Sequence, residues 1–320
     1  MKEALANANF PQDADGRVYH INVKQGEVAN RILTVGDHVR ARAIARWLDS
    51  DEEAGHPTFI HTSQRGFLTI TGRYKGVPIT ILAIGMGSPM MDFFIRETRA
   101  VVSGTMAVIR FGSCGSWTER AKLGSVIVPR AGFCIRRNLD YFSDHPIYPE
   151  LAKSTPYLVS GTFDADAEMT DQLAGNLKSV LGKLQEETDG AVGPVVTGGL
   201  NCDGCSFYSS QGRQDPAFWD DNKDLIEHVM KVHPETDCSE METSMLFHLA
   251  KCSVQQKIKA AGCMQVFADR VGNGFIRPEV VTVLEPAVGK AVLDTLVSTK
   301  IEDEMDPVGT VWECVNKPSV

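Results

Sequence analysis

The most informative segment of this chain is residues 207–213, FYSSQGR, in which a Gln and an Arg stand two positions apart behind an aromatic residue. Gln211 offers one hydrogen-bond acceptor and two donors, and Arg213 offers a planar fork of donors without an acceptor. In an extended segment both side chains leave the same face. Together they could read a ring edge with alternating carbonyl and N–H groups, such as that of uracil, while Phe207 covers a flat ring or a sugar. Alone, the pattern is more typical of a surface loop, so its functional interpretation depends on other segments.

Three further segments predict a site for an anion. Gly36 and Arg40 stand where a buried strand enters a helix, so the free backbone N–H groups of the helix start face this point. Arg110 and Ser113 follow an apolar run, where a guanidinium is costly to bury without an anionic or carboxylate partner. Arg65 lies in a separate segment. Arginines and a hydroxyl suit a phosphate through charge-assisted hydrogen bonds, although Arg40 alone would also fit an exposed helix surface.

Acidic residues supply the remaining candidates. Glu240, Met241 and Glu242 stand at the predicted start of a helix, where carboxylates also suit the helix dipole. The functional interpretation gives Glu242 a pair of sugar hydroxyls, because one carboxylate can accept two hydrogen bonds. Asp269 follows a buried apolar run, and it is either a structural carboxylate or a proton donor at the carboxyl end of a strand.

Composition narrows the class of protein. The 320 residues are 43% hydrophobic and 23% charged, with a net charge of -9, which is ordinary for a globular protein. An acidic chain without a basic stripe argues against nucleic acid as a partner. No apolar run approaches the roughly 20 residues of a membrane helix, and the N-terminus lacks the pattern of a secretory signal. The eight Cys are scattered, which fits a reducing compartment. We therefore expect a cytoplasmic protein that does not contact the membrane.

Periodicity and turn signals predict that strands and helices alternate along the chain. Strands are predicted over residues 31–35, 66–71, 77–83, 107–111, 125–129, 192–200 and 261–268. Helices are predicted over residues 38 to about 49, 85 to about 103, 165–186, 216–232, 241–252 and 278–298. Many strands are rich in Val and Ile on both faces, which predicts an α/β fold with a mostly parallel central sheet between two helical layers. In such sheets ligands bind at the carboxyl ends of the strands.

The order of these segments is similar to that of the nucleoside phosphorylase-I family. The resemblance rests on GDHVR at 36–40, Arg65, GMGSP at 85–89, RFGSCG at 110–115, FYSSQGR at 207–213 and EME at 240–242, and it spans about residues 18–298. The Gln-x-Arg element is similar to that of the pyrimidine members. The resemblance implies a single nucleoside phosphorylase-like domain with a mixed sheet over residues 18–300, with tails at 1–17 and 301–320. It also implies phosphorolysis of uridine to uracil and ribose 1-phosphate, a step of pyrimidine salvage, with deoxyuridine left open.

The resemblance implies a role for each matching residue. Phosphate would be held by Gly36, Arg40, Arg65, Arg110 and Ser113, ribose by His20, Cys114, Glu240, Met241 and Glu242, and the base by Phe207, Gln211 and Arg213. Arg110, Gln211 and Arg213 would be catalytic. Phosphate is a co-substrate that attacks the anomeric carbon directly, without a metal or another cofactor, and Arg213 would stabilise the charge on the leaving uracil. His20 and Arg65 would enter a neighbouring subunit, so we expect a homo-oligomer, specifically a dimer.

Two departures and three alternatives accompany this interpretation. His38 and Gly66 stand where bacterial members have a Pro and a Glu, and because that Glu helps to bind potassium, we expect no such cation site. A purine nucleoside phosphorylase would use Asp269 as the acid that protonates the leaving ring. A hydrolytic nucleosidase would have no use for Arg40 and Arg110, and a catalytically silent nucleoside-binding relative should show a broken site.

Overall fold

A computed structural model describes residue 5 and residues 7–314 of the chain. The strands are β1 (Arg31–Val35), β2 (Phe59–Thr62), β3 (Leu68–Tyr74), β4 (Val77–Ala83), β5 (Met106–Ser116), β6 (Val126–Val128), β7 (Ala131–Arg137), β8 (Tyr157–Val159), β9 (Phe163–Asp164), β10 (Val195–Thr197), β11 (Leu200–Gly204), β12 (Thr236–Glu240), β13 (Ile258–Asp269) and β14 (Gly274–Phe275). The helices are α1 (His38–Ala45), α2 (Asp51–Ala54), α3 (Ser88–Val101), α4 (Pro149–Ala152), α5 (Ala167–Glu187), α6 (Leu225–Val232), α7 (Thr243–Cys252) and α8 (Pro278–Ser298).

The strands form one mixed sheet, as the sequence predicted. Strands β4, β1, β5 and β13 pair in parallel, and so do β7, β11 and β12. The long strand β5 joins these two blocks, because its last residues pair antiparallel with β12. Further antiparallel pairs lie at the margins, among them β2 with β3 and β3 with β4. The carboxyl ends of β1, β5, β12 and β13 thereby meet at one edge of the sheet.

Helices cover both faces of this sheet. Successive side chains along a strand point to opposite faces of the sheet, and two consecutive residues of β1 show this. Leu33 packs in the core with Ile44 of α1 and Leu284 of α8, whereas Ile32 packs in a second core with Phe94 of α3 and other apolar residues of α3 and α7. The three-layer α/β arrangement predicted from the Val/Ile-rich strands is therefore confirmed.

The element boundaries depart from the prediction where pairing overrides composition. Residues 112–115 were predicted as a loop, but they continue β5, because they pair with β13 and β12. The predicted strand 192–200 is two strands, β10 and β11, since Gly198 adopts a φ of +84° between them. The predicted helix 216–232 begins only at Leu225. Strands β2, β7, β8, β9, β12 and β14 were missed.

Residues beyond α8 contact the body of the protein. Arg31 forms an ion pair of 2.6 Å with Glu304, the backbone N–H of Thr105 donates to Asp303 at 2.8 Å, and Trp312 is buried. The predicted domain limits at residues 18 and 300 stay a prediction, but the described part of the C-terminal segment is packed. Within the described ranges, none of the helices combines the length and the apolar character needed to cross a membrane.

Candidate active site

A cavity of about 340 Å³ lies at the sheet edge where β1, β5, β12 and β13 end. The sequence-predicted residues that line it are Gly36, Arg40, Arg110, Ser113, Cys114, Phe207, Gln211, Arg213, Glu240, Met241 and Glu242. The lining residues without a predicted role are Asp37, Gly85, Met86, Gly115, Ser239, Phe267, Ala268 and Phe275. Segments more than 200 positions apart thus converge because strand ends share one edge of the sheet.

One end of the cavity is built on the start of α1. Asp37 caps this helix by accepting from the backbone N–H of Arg40 at 2.8 Å. The buried guanidinium of Arg40 donates through Nε to Glu285 at 2.8 Å and through Nη2 to the Ser113 hydroxyl at 3.0 Å. Glu285, on α8, also accepts from Gln265 at 2.8 Å. Sequence reasoning missed Glu285, which holds the orientation of Arg40.

A buried ion pair forms the middle of the cavity. Arg110 donates through Nη2 to Glu242 at 2.8 Å, and both side chains are at least 95% buried. The other oxygen of Glu242 accepts from the backbone N–H of Gly87. Burial raises the pKa of Glu242, although the Arg110 charge opposes this. Nε and Nη1 of Arg110 have no hydrogen-bond partner among the described residues, and buried donors without partners are rare. Arg110 therefore lies in the cavity wall with two buried donors that no described residue satisfies.

Glu240 differs from the role that the resemblance gave it. Its carboxylate oxygens accept from the Asn201 amide at 2.7 Å and from the backbone N–H groups of Glu242 at 3.1 Å and Thr243 at 3.0 Å. In the structure the Glu240 side chain therefore binds the start of α7, whereas the resemblance implied that it binds ribose. Burial, and then the nearby Asp203, raise the pKa of Glu240 to about 8.

The predicted base-binding residues, Gln211 and Arg213, meet at the opposite end of the cavity, but not through the backbone conformation that we expected. The segment is not extended: residues 209–211 form one 3₁₀ turn, and Gly212 follows with a φ of +66°. This turn brings Nη1 of Arg213 to 2.7 Å from the Gln211 amide oxygen. The Arg213 guanidinium carbon lies 3.7 Å from the centre of the Phe207 ring, so it covers one face of that ring. Burial lowers the pKa of Arg213 to about 10, with a smaller effect from Arg270.

Arg270 supports the same turn and was not identified from the sequence. Its Nη1 donates to the Gln211 carbonyl at 3.0 Å and its Nη2 to the Gly212 carbonyl at 3.3 Å. The neighbouring Asp269 accepts from the backbone N–H groups of Val271 and Gly272 at 2.9 Å each. Asp269 does not line the cavity. These contacts favour the interpretation of Asp269 as a structural carboxylate.

His20 and Arg65 lie outside the cavity of their own chain. His20 stacks on Phe93 with ring centres 3.9 Å apart and contacts Glu97 through Nδ1 at 2.5 Å. Arg65 is exposed and donates to the Tyr19 hydroxyl at 2.9 Å. Their contribution to a neighbouring subunit stays a prediction.

The two departures from the family pattern are in contact. Nε2 of His38 lies 2.7 Å from the carbonyl oxygen of Gly66, and Gly66 has a φ of +87° that favours glycine. This contact ties the start of α1 to the loop that carries Arg65.

Comparison with known proteins assigns the chain to a family. The sequence profile of the phosphorylase superfamily matches residues 30–285. A solved structure from a study of two uridine phosphorylases of the oomycete Phytophthora capsici is 38% identical, with a TM-score of 0.85, and the match covers 93% of this chain and 100% of that one. The uridine phosphorylase of Thermococcus kodakarensis is 29% identical over 86% of each chain. A DeoD-type purine nucleoside phosphorylase of Pectobacterium atrosepticum is 36% identical over 39% of this chain and 50% of its own length.

Proposed function

The chain belongs to the phosphorylase superfamily and is a pentosyltransferase, and we propose that it cleaves uridine with phosphate to give uracil and ribose 1-phosphate. The observation that carries the choice of base is the Gln211–Arg213 pair at one end of the cavity, with their side chains 2.7 Å apart. The Gln211 amide oxygen has a second lone pair beside its bond from Arg213, and the Gln211 amide nitrogen and the Arg213 fork offer donors. The edge of uracil, with two carbonyls flanking one N–H, is complementary to that set.

The remaining subsites follow from the other end of the cavity. Arg40, Ser113 and Arg110 line the same cavity, and we assign phosphate to these residues. Glu242 and Met241 line the same cavity, and we assign the sugar to them. A carboxylate can accept from the 2′- and 3′-hydroxyls at once. Glu242 would thereby hold ribose between the nucleophile and the leaving group.

In this arrangement phosphate attacks the anomeric carbon from the face opposite the base, and the bond from that carbon to uracil N1 breaks. Electron density from the broken bond moves onto the uracil ring. Arg213 is cationic, so its hydrogen bond to a uracil oxygen strengthens as that charge grows. Arg40 and Arg110 fix the nucleophile, which converts an encounter in solution into a reaction between positioned groups.

We also propose that the active form is a homodimer in which each subunit lends His20 and Arg65 to the other's site. Both residues lie on the surface near Tyr19 and outside their own cavity. Glu97 orients His20, and Tyr19 orients Arg65. Two polar groups that are held in fixed positions on a surface, without a task in their own site, are suited to completing a neighbouring one.

The test is to incubate the purified protein with uridine or inosine, each with and without phosphate, and to measure release of the free base. Uracil released only with phosphate supports the proposal. Hypoxanthine release would favour the purine alternative, for which the 129-residue match to a purine nucleoside phosphorylase is the supporting observation. Release without phosphate would indicate a nucleosidase, and no release under any condition would indicate a binding protein.

A further inference from the structure

Two carboxyl groups, those of Asp203 and Glu240, lie side by side beneath the cavity. They are register partners on the adjacent parallel strands β11 and β12. The Asn201 amide nitrogen bridges them, since it donates to Asp203 at 2.9 Å and to Glu240 at 2.7 Å. Asp203 has no exposed surface and Glu240 has 5%. Both groups are therefore shielded from water.

The pair occupies all the free backbone donors at the start of α7. A helix begins with four N–H groups that have no partner within the helix. The N–H groups of Glu242 and Thr243 donate to Glu240, and those of Ser244 and Met245 donate to Asp203. The backbone of Glu242 is thus held by one member of the pair, while the Glu242 side chain faces the cavity.

Few charges are available to balance two carboxylates here. The groups that face the pair or its nearest neighbours are Arg110 and Cys114 from β5, Cys134 and Arg136 from β7, Cys202 from β11, Cys238 from β12 and Glu242 at the start of α7. Burial raises the pKa of the Cys134 thiol to about 12 and those of Cys202 and Cys238 well above the usual value.

The two cations in this group have other partners, since Arg136 donates through Nη2 to the Ser88 hydroxyl at 3.3 Å. Arg110 forms its ion pair with Glu242. Two adjacent buried carboxylates without a cation of their own repel each other, and this favours a protonated form of one of them. The raised pKa of Glu240, to about 8, agrees with this geometry.

We propose that Asp203 and Glu240 form a positioning pair that shares one proton, and that this proton keeps Glu242 in the geometry that binds the sugar. The inference rests on the proposed function, because it assigns the pair to the sugar subsite. When hydroxide removes the proton and forms water, two adjacent negative charges remain. One carboxylate then loses its contacts with the start of α7, and Glu242 loses its backbone anchor. Activity is therefore lost as pH rises through the alkaline range.

The test is the pH profile of kcat/KM for uridine phosphorolysis, compared between the wild type and Glu240→Gln. In the wild type we expect a decline of about tenfold by pH 9 relative to the plateau, because a group with a pKa near 8 is then about 90% ionised. The Glu240→Gln variant has no ionisable group at this position. We therefore expect its kcat/KM to reach a lower plateau and to stay at that plateau up to pH 9. Ionisation of the uracil ring and of phosphate is common to both proteins and cancels in the comparison.

Asp237→Asn is the matched control, because Asp237 is a buried carboxylate on the same strand that pairs with Arg120 away from the cavity. This variant should lose stability and keep the wild-type alkaline decline. An identical decline in the wild type and Glu240→Gln would overturn the proposal.

A second measurement needs neither a substrate nor an active variant. Infrared difference spectra of the wild type between neutral and alkaline pH should show the carbonyl band of a protonated carboxylic acid that disappears as pH rises. This band should be absent from Asp203→Asn and Glu240→Gln, whichever of them folds. A wild-type spectrum without the band would refute the shared proton even if uridine proved to be the wrong substrate.

Discussion

Replacement of Arg213 by Ala tests the central claim about the leaving group. We expect the substitution to lower kcat rather than only to raise KM, because the Arg213 bond to the base strengthens in the transition state. In the resting protein the same guanidinium donates to the Gln211 amide oxygen at 2.7 Å and to the Phe207 carbonyl at 2.6 Å. Both bonds use Nη1, so they hold the guanidinium beside Gln211 and Phe207, which also line the cavity.

The size of the effect follows from the environment of Arg213. Removal of one donor from a water-excluded site that stabilises developing charge costs about 100- to 1,000-fold in kcat. Arg213 is only partly buried, although burial is sufficient to lower its pKa to about 10. Partial solvation screens the charge, so the lower end of the range, about 100-fold, is the expected loss.

The assay compares uridine with 5-fluorouridine, whose base carries negative charge more readily. We expect the fluorinated substrate to recover a large part of the rate lost in Arg213→Ala and to change the wild-type rate less. Arg137→Ala is the matched control, since Arg137 pairs with Asp220 at 2.6 Å and does not line the cavity. It should keep near-normal kcat. Equal turnover of Arg213→Ala and the wild type at saturating uridine would refute the assigned role.

Three further predictions test the assembly, the base assignment and the C-terminal segment. Arg65→Ala and Arg110→Ala should each be nearly inactive. An equal mixture that is allowed to exchange subunits should regain about a quarter of wild-type activity, because half of the random dimers are mixed and each mixed dimer has one intact site of two. No recovery in a mixture shown to exchange would contradict shared sites. Asp269→Asn should keep uridine kcat/KM within about twofold, since an Asn oxygen can still accept from the turn, and a large loss would revive the purine acid role. Deletion of residues 301–320 should lower the calorimetric Tm by several degrees, because it exposes the pocket of the buried Trp312; an unchanged Tm would show that this segment is a free tail.

Local signals predicted the regular elements, and long-range pairing decided the rest. Helix α8 runs from Pro278 to Ser298 as expected, because a proline suits a helix start and the apolar pattern is long. The segment 112–115, GSCG, has the composition of a turn, and its extended form follows only from its pairing with β13 and β12. Composition cannot report the partner strands that keep such a segment extended.

The same distinction applies to the site. The motifs identified the residues that line the cavity, since their order along the chain was informative. The groups that orient them were missed: Glu285 lies 245 positions from Arg40, and Arg270 contacts the base-reading turn from 59 positions away. Asp203 was also missed, because its role depends on the register of β11 with β12. A sequence pattern gives no distance between such positions.

The charges around the cavity support the proposed contribution of a neighbouring subunit. Arg40 is bound to Glu285, and Arg110 is bound to Glu242, so each cation at the phosphate end is already balanced by a carboxylate of its own chain. Phosphate entering this space would meet two neutral pairs, and a dianion requires more positive charge than they leave. Arg65 is exposed and has no carboxylate partner among the described residues. Delivered from a second subunit, it would supply the missing charge, so we expect the isolated subunit to bind phosphate poorly at any concentration of nucleoside.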